Sequence, residues 1–146
     1  MGPYTLKPGE GWKYRYGIDM TVKLGELHPG RGAAFTEYTT RKGEEPPDHT
    51  HPTEDEIFYV LSGELTFRCG GQSFDVSTGG FIFLPQGVEH GYTIRSDEPV
   101  RLLVVTFPTR AAADQGWGGF IADVEGQGEL LARPEPRSDS AEADSP

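Results

Sequence analysis

Short β-forming runs separated by tight turns fill residues 13–108 of this 146-residue chain. Glycine and proline close these runs, because glycine accepts positive φ and proline cannot donate to a strand ladder. The turns are Ser62-Gly63, Gly70-Gly71, Thr78-Gly79-Gly80, Pro85-Gln86-Gly87 and Ser96-Asp97-Glu98-Pro99. About ten short strands with little helix predict an all-β fold, either a sandwich or a barrel.

The sequence changes character on both sides of this strand-rich barrel at 13–108. Residues 1–12 contain two prolines and three glycines and predict an extended N-terminal arm. Residues 109–132 are predicted to form short helical pieces that pack on the barrel, because glycines at 116, 118 and 119 limit helix length. Residues 133–146 are almost free of apolar side chains and predict a disordered acidic tail.

The chain carries a formal net charge of −10, which argues against nucleic acid and anionic membranes as partners. No basic segment followed by an apolar run begins the sequence, and no apolar stretch reaches the ~20 residues of a membrane span. We therefore expect a soluble cytoplasmic protein.

The run Ile57 to Leu61 is apolar on both faces of its predicted strand. Strand alternation places Glu56, Phe58 and Val60 toward the interior and the residues between them outward. Because a strand that is apolar on both faces must be covered on both, we predict a homodimer in which a second subunit or an exchanged N-terminal arm covers the outer face.

The strand predicted for residues 33–41 leaves its orientation open. Phe35, Glu37 and Thr39 share one face, and Ala34, Thr36 and Tyr38 share the other. If the first face looks inward, Glu37 is a polar group of the pocket, and otherwise it is a solvated surface residue.

Two histidines and a glutamate stand close together between Gly43 and Gly63. His49 and His51 are two residues apart and point to one side of an extended chain. Glu56 has the wrong parity for the same strand, but Pro52 interrupts pairing. We therefore predict a strand that ends near His51, a turn, and a second strand that opens near Glu56 and brings its carboxylate back to the imidazoles.

A second stretch, Gly79 to His90, supplies a third imidazole. The turn at Pro85 to Gly87 presents His90, and the following strand should carry His90, Tyr92 and Ile94 on one interior face. Three histidines and one glutamate suit Fe, Mn, Ni, Co or Zn. We predict one divalent transition-metal ion per chain, held by His49, His51, Glu56 and His90. The remaining histidine, His28, precedes Pro29-Gly30 and is assigned to a turn.

These two stretches resemble the two motifs of the cupin superfamily. Gly43-x5-His49-x-His51-x4-Glu56-x6-Gly63 matches the first motif, and Gly79-x5-Pro85-x-Gly87-x2-His90 matches the second. Ile94 stands where the second motif ends in asparagine, which is not a metal ligand of the family. The resemblance implies a double-stranded β-helix, or jelly-roll barrel, with little helix.

The stretches from Glu54 to Arg68 and from Phe81 to His90 are most similar to small bacterial cupins grouped with quercetin (flavonol) dioxygenases. The resemblance implies a metal-dependent dioxygenase acting on an aromatic or enolisable small molecule. Two alternatives remain open: a non-oxidative isomerase, cyclase or lyase, and a binding protein without turnover.

Glu56 has a second role in flavonol-cleaving cupins, and the resemblance implies it here. It would accept the proton of the substrate hydroxyl, and a partly apolar pocket is expected to raise its pKa toward neutrality. The predicted pocket wall, which could equally be ordinary core, consists of Phe58, Val60, Phe83, Tyr92 and Ile94.

Overall fold

The computed structural model describes residues 2–25 and 32–135, so the interpretations of His28 and of residues 136–146 fall outside the described part. The described part contains ten strands and two short helices. The strands are β1 (Trp12–Tyr16), β2 (Ile18–Leu24), β3 (Ala34–Thr40), β4 (Glu54–Ser62), β5 (Glu64–Cys69), β6 (Gln72–Ser77), β7 (Phe81–Leu84), β8 (His90–Ile94), β9 (Val100–Pro108) and β10 (Glu129–Ala132). The helices are α1 (Arg110–Asp114) and α2 (Gly119–Gln127).

The strands pair antiparallel in two sheets. The larger sheet has seven strands in the order β10-β1-β2-β3-β9-β4-β7, and the smaller has the order β6-β5-β8. Both sheets contribute to one apolar cluster, with Val60 and Leu102 from the larger and Leu65, Phe67 and Ile94 from the smaller. This two-sheet core confirms the predicted all-β jelly-roll fold.

A second apolar cluster joins the C-terminal segment to the larger sheet. Ile121 and Val124 of α2 are buried against Tyr14, Met20 and Val22 of β1 and β2. After α2 the chain returns as β10, which pairs with β1. Neither helix of the described residues is long and apolar enough to cross a membrane.

The inward faces of the strands decide which side chains reach the interior. In β4 the buried positions include Glu56, Phe58 and Val60, as predicted. In β3 the inward face carries Thr36 and Thr40, whereas Glu37 accepts a hydrogen bond from Arg101 on the outer face at 3.2 Å. Glu37 therefore does not face the interior.

The segment before β4 differs from its prediction. Instead of a strand ending near His51, His49 alone forms a single bridge with His90, and β4 opens at Glu54. The physical reason is the proline content of this segment, since Pro46, Pro47 and Pro52 cannot donate backbone hydrogen bonds.

Exposed aromatic side chains form a patch on the outer face of β4 and β7. Tyr59 opposes Phe81 and Ile57 opposes Phe83 across the two strands, so these side chains share one face. Tyr59, Phe81 and Phe83 are 41%, 57% and 46% exposed. A contiguous apolar patch of this kind is typical of an interaction surface.

We propose that this patch is where two copies of the chain meet. Light scattering at micromolar concentration should then give the mass of a dimer, and changing Phe81 and Phe83 together to lysine should give monomers. Phe74→Lys is the matched control, because Phe74 is an equally exposed aromatic residue on the smaller sheet. A monomeric parent protein would refute the dimer. The N-terminal arm contacts β2 of the same chain, where the Tyr4 hydroxyl donates to the Lys23 carbonyl at 2.6 Å.

Candidate metal centre

The four predicted ligand side chains converge in the structure. One donor atom from each of His49, His51, Glu56 and His90 lies within 4.8 Å of the others. Glu56 projects from β4 of the larger sheet, and His90 is the first residue of β8 in the smaller sheet. His49 and His51 come from the proline-rich segment that connects β3 to β4. The cluster therefore forms where the two sheets and one irregular segment meet.

Backbone hydrogen bonds fix the segment that carries His49 and His51. His49 and His90 exchange two bonds, N–H to carbonyl in both directions, at 2.9 Å each. The Gly87 amide donates to the His51 carbonyl at 3.0 Å, and the Gln86 amide donates to Asp55 Oδ1 at 2.7 Å. Gly87 has a φ of 78°, which side-chain-bearing residues rarely adopt, so the turn geometry depends on this glycine.

Polar atoms at the centre of the cluster are buried without a regular partner. Glu56 Oε1 lies 3.5 Å from His51 Nε2 and 3.2 Å from His90 Nε2. None of these three atoms makes a hydrogen bond of regular geometry among the described residues. Because unsatisfied buried polar atoms are costly, their convergence indicates a site for a further group. A divalent ion, with bonds of about 2.0–2.3 Å to nitrogen and oxygen, fits between these donors.

Groups just outside the cluster orient two of the imidazoles. His49 Nδ1 lies 2.8 Å from the Pro47 carbonyl, and His51 Nδ1 lies 3.2 Å from Glu54 Oε2. Each contact places a proton on Nδ1 and leaves Nε2 with a lone pair when the ring is neutral. Metal-binding histidines generally have such a partner on their second nitrogen.

The electrostatics of the metal-free cluster differ from the prediction for Glu56. Burial alone would raise the pKa of Glu56, but the close N···O contacts with His51 and His90 and the charges on these imidazoles outweigh it and lower the pKa below its usual value. The expectation of a raised pKa is therefore wrong for the metal-free protein. For His51, burial alone would lower the pKa, but Glu54 and Glu56 outweigh it and raise the pKa to about 10.

Metal binding should consequently release a proton. At neutral pH the metal-free protein keeps His51 protonated, and the imidazole must lose this proton before it ligates. We expect release of about one proton per ion at pH 7, and an affinity that rises about tenfold per pH unit below the His51 pKa. Calorimetric titration with Zn²⁺ in buffers of different ionisation enthalpy measures the released protons. Binding without proton release would contradict the charged state of His51.

The cluster opens onto a cavity of about 630 Å³. His49, His51 and Glu56 lie in its wall, and the walls near them are largely apolar. Phe58 and Tyr92 line the cavity, as predicted. The remaining lining residues include Ile18, Met20, Thr36, Tyr38, Val104, Thr106, Phe120 and Ile121.

Three predicted pocket residues lie elsewhere. Val60 and Ile94 are buried in the main apolar core between the sheets and do not line the cavity. Phe83 is wrong as a pocket residue, because it opposes Ile57 on the outer face and is 46% exposed. Its neighbours Ile82 and Leu84 are the inward residues of β7. The side chains of this short strand therefore alternate in the opposite sense to the prediction.

Several residues of the site were missed in the sequence. The sequence does not decide whether Tyr38 faces the cavity, because it leaves the orientation of β3 open. Phe120 and Ile121 come from α2, which no local pattern connects to the cavity. Glu54 had a usable signal, since it stands two residues before Glu56 and strand alternation places both carboxylates on one face.

Comparisons with known proteins agree with this site. The family described as "Cupin domain" matches residues 36–106, a range that includes all four candidate ligands. Quercetin 2,3-dioxygenase of Bacillus subtilis is 30% identical over 95 residues, covering 64% of this chain and 28% of the relative. Oxidoreductase macE of Penicillium terrestre is 31% identical over 121 residues, covering 73% of this chain and 46% of the relative. The chain thus spans less than half the length of either curated relative.

Solved structures show the same architecture. A predicted oxalate decarboxylase from Thermotoga maritima superposes with a TM-score of 0.65 at 20% identity, covering 73% of this chain and all of that chain. At this identity the likeness concerns the fold alone. The two-sheet jelly roll, the clustered motif residues and the family match together show that residues 36–106 form a cupin domain.

Proposed function

We propose that this protein is a metal-dependent dioxygenase acting on an aromatic or enolisable small molecule, with a flavonol as the model substrate. The observation that carries the proposal is the opening of the three-histidine, one-glutamate cluster onto the largely apolar cavity of about 630 Å³. This volume lies within the ~300–1,000 Å³ typical of sites for small organic molecules.

The cavity walls suit a planar ring that carries hydroxyl groups. Phe58 and Val104 offer apolar surface, and the hydroxyls of Tyr38 and Tyr92 lie 3.4 Å apart in the same cavity. Burial and the neighbouring Tyr92 raise the pKa of Tyr38 well above its usual value. Tyr38 therefore remains a neutral phenol, which both donates and accepts hydrogen bonds and orients a substrate hydroxyl.

Glu56 is the residue best placed to handle a proton. Glu56 is 5% exposed and lies in the cavity wall. Its carboxylate is ionised in the metal-free cluster because its pKa is lowered. When bound, a divalent transition metal supplies Lewis acidity that makes a coordinated phenol or enol more acidic. Glu56 accepts the substrate proton and keeps it away from solvent in the buried site.

The similarity to quercetin 2,3-dioxygenase supports this class of reaction. The matched region is 28% of that relative, so the activity of the complete relative is a proposal for this chain. The similarity to an oxidoreductase over 73% of this chain supports oxidative chemistry in the same way.

Oxygen uptake tests the proposal directly. The purified protein is analysed for bound metals, and each metal-loaded form is then assayed in an oxygen electrode with a panel of flavonols and other enolisable phenols. We expect oxygen consumption matched by ring-cleaved product in at least one combination. Product formation without oxygen uptake would instead indicate a non-oxidative lyase or isomerase, and saturable binding without any product would indicate a binding protein.

A further inference from the structure

Glu54 is a buried carboxylate that belongs to neither the candidate ligand set nor the cavity wall. The residue is 1% exposed, although glutamate side chains are seldom fully buried unless they are paired. Its Oε2 lies 3.2 Å from His51 Nδ1, and its Oε1 accepts a hydrogen bond from Trp117 Nε1 at 2.8 Å. The Phe120 amide donates to both oxygens, at 3.2 and 3.3 Å. One carboxylate therefore connects a candidate metal ligand to the C-terminal segment.

The start of α2 is shaped around this carboxylate. Gly119 has a φ of 56°, and a Cβ at this position would lie 1.7 Å from Glu54 Oε1. Only glycine meets both conditions, because it adopts positive φ freely and carries no side chain. Any other residue type at position 119 would therefore hold the segment from Trp117 to Phe120 farther from Glu54.

The same segment forms part of the cavity wall. Phe120 and Ile121 line the cavity, and the Phe120 ring lies edge-on to the His51 ring with centroids 6.0 Å apart. Ile121 is also buried against the larger sheet. The placement of this wall thus depends on contacts that end at Glu54 and His51.

We propose that Glu54 is a positioning residue that couples metal binding at His51 to the position of the Trp117–Ile121 segment in the cavity wall. This inference rests on the metal centre of the proposed function. Glu54 holds the Nδ1 proton of His51, which directs Nε2 to the ion, and outer-shell partners of this kind raise the basicity of the ligand. The same carboxylate accepts the hydrogen bonds that hold the Trp117–Ile121 segment in place. Because coupling between two sites is reciprocal, metal should stabilise the segment and the segment should tighten metal binding.

Three proteins test the coupling: the parent chain, Glu54→Gln and Trp117→Phe. Co²⁺ affinity is measured by its absorption spectrum, and hydrogen exchange of residues 117–124 is followed with and without Co²⁺. Glu54→Gln should weaken Co²⁺ binding about 10–100-fold, the usual effect of losing an outer-shell partner. Trp117→Phe leaves every ligand and Glu54 in place, yet it should still weaken Co²⁺ binding by about 5-fold or more.

Hydrogen exchange distinguishes the coupling from a purely structural role of Glu54, because a structural role alone would not make exchange depend on Co²⁺. Co²⁺ should slow exchange of the Phe120 amide in the parent protein, and this protection should be lost in Glu54→Gln. Glu64→Gln is the control, since it makes the same chemical change at an exposed residue of β5 in the smaller sheet. Parent-like Co²⁺ affinity in Trp117→Phe together with exchange at Phe120 that is independent of Co²⁺ would overturn the coupling. A parent protein that binds no Co²⁺ would overturn the metal centre itself, and the two failures are thus distinct.

Discussion

His90→Ala should leave the purified protein almost free of metal and without turnover. His90 is 4% exposed and contributes the only ligand of the cluster that comes from the smaller sheet. Loss of a direct ligand should reduce affinity by more than the ~10–100-fold typical of an outer-shell change. Elemental analysis of metal per chain, followed by oxygen uptake on the same preparation, measures both effects.

His28→Ala is the matched control for this variant, because His28 is the one histidine of the chain outside the two motif stretches. It should retain the metal content of the parent protein. Circular dichroism of His90→Ala must show a folded β-protein, so that loss of metal is not attributed to unfolding. A folded His90→Ala protein with full metal content would exclude His90 as a ligand.

Glu56→Gln should retain much of its metal and lose turnover by about 10²-fold or more. The amide of glutamine still offers an oxygen to the ion, but it is a far poorer base than a carboxylate. If Glu56 accepts the substrate proton, the activity per bound ion falls. If Glu56 only holds the ion, activity falls in proportion to metal content.

Metal content and oxygen uptake measured on one Glu56→Gln preparation separate these two roles. Glu89→Gln makes the same chemical change at an exposed residue next to His90 and should leave both quantities unchanged. Parent-like activity per bound ion in Glu56→Gln would remove the proton-accepting role while leaving the metal centre in place.

The metal cluster was predictable from the sequence because its information is local. His49 and His51 share parity, the Pro85 to Gly87 turn sets the direction of the His90 strand, and motif spacing joins the two stretches. Tyr92 was placed correctly for the same reason, since it follows His90 by two residues. Because side chains alternate between the two faces of a strand, one residue known to be buried determines which of its neighbours also face inward.

The rest of the cavity depends on contacts between distant segments. No local pattern decided whether Tyr38 or Glu37 faces inward, because both faces of β3 carry apolar and polar residues. Phe83 was misplaced because β7 has only four residues and is apolar throughout, so its parity is set by pairing with β4. Phe120 reaches the cavity through a hydrogen bond to Glu54, 66 residues away in the chain.

The four candidate ligands are divided between separate parts of the jelly roll, and this division has a consequence for durability. Glu56 belongs to the larger sheet, His90 to the smaller, and His49 and His51 to the segment that connects β3 to β4. An ion bound by all four would act as a cross-link, so the two sheets could not separate without breaking bonds to it. Such a cross-link slows unfolding as long as it is absent from the transition state. The metal would then set the lifetime of the folded protein as well as its chemistry, and its removal by a chelator would speed unfolding.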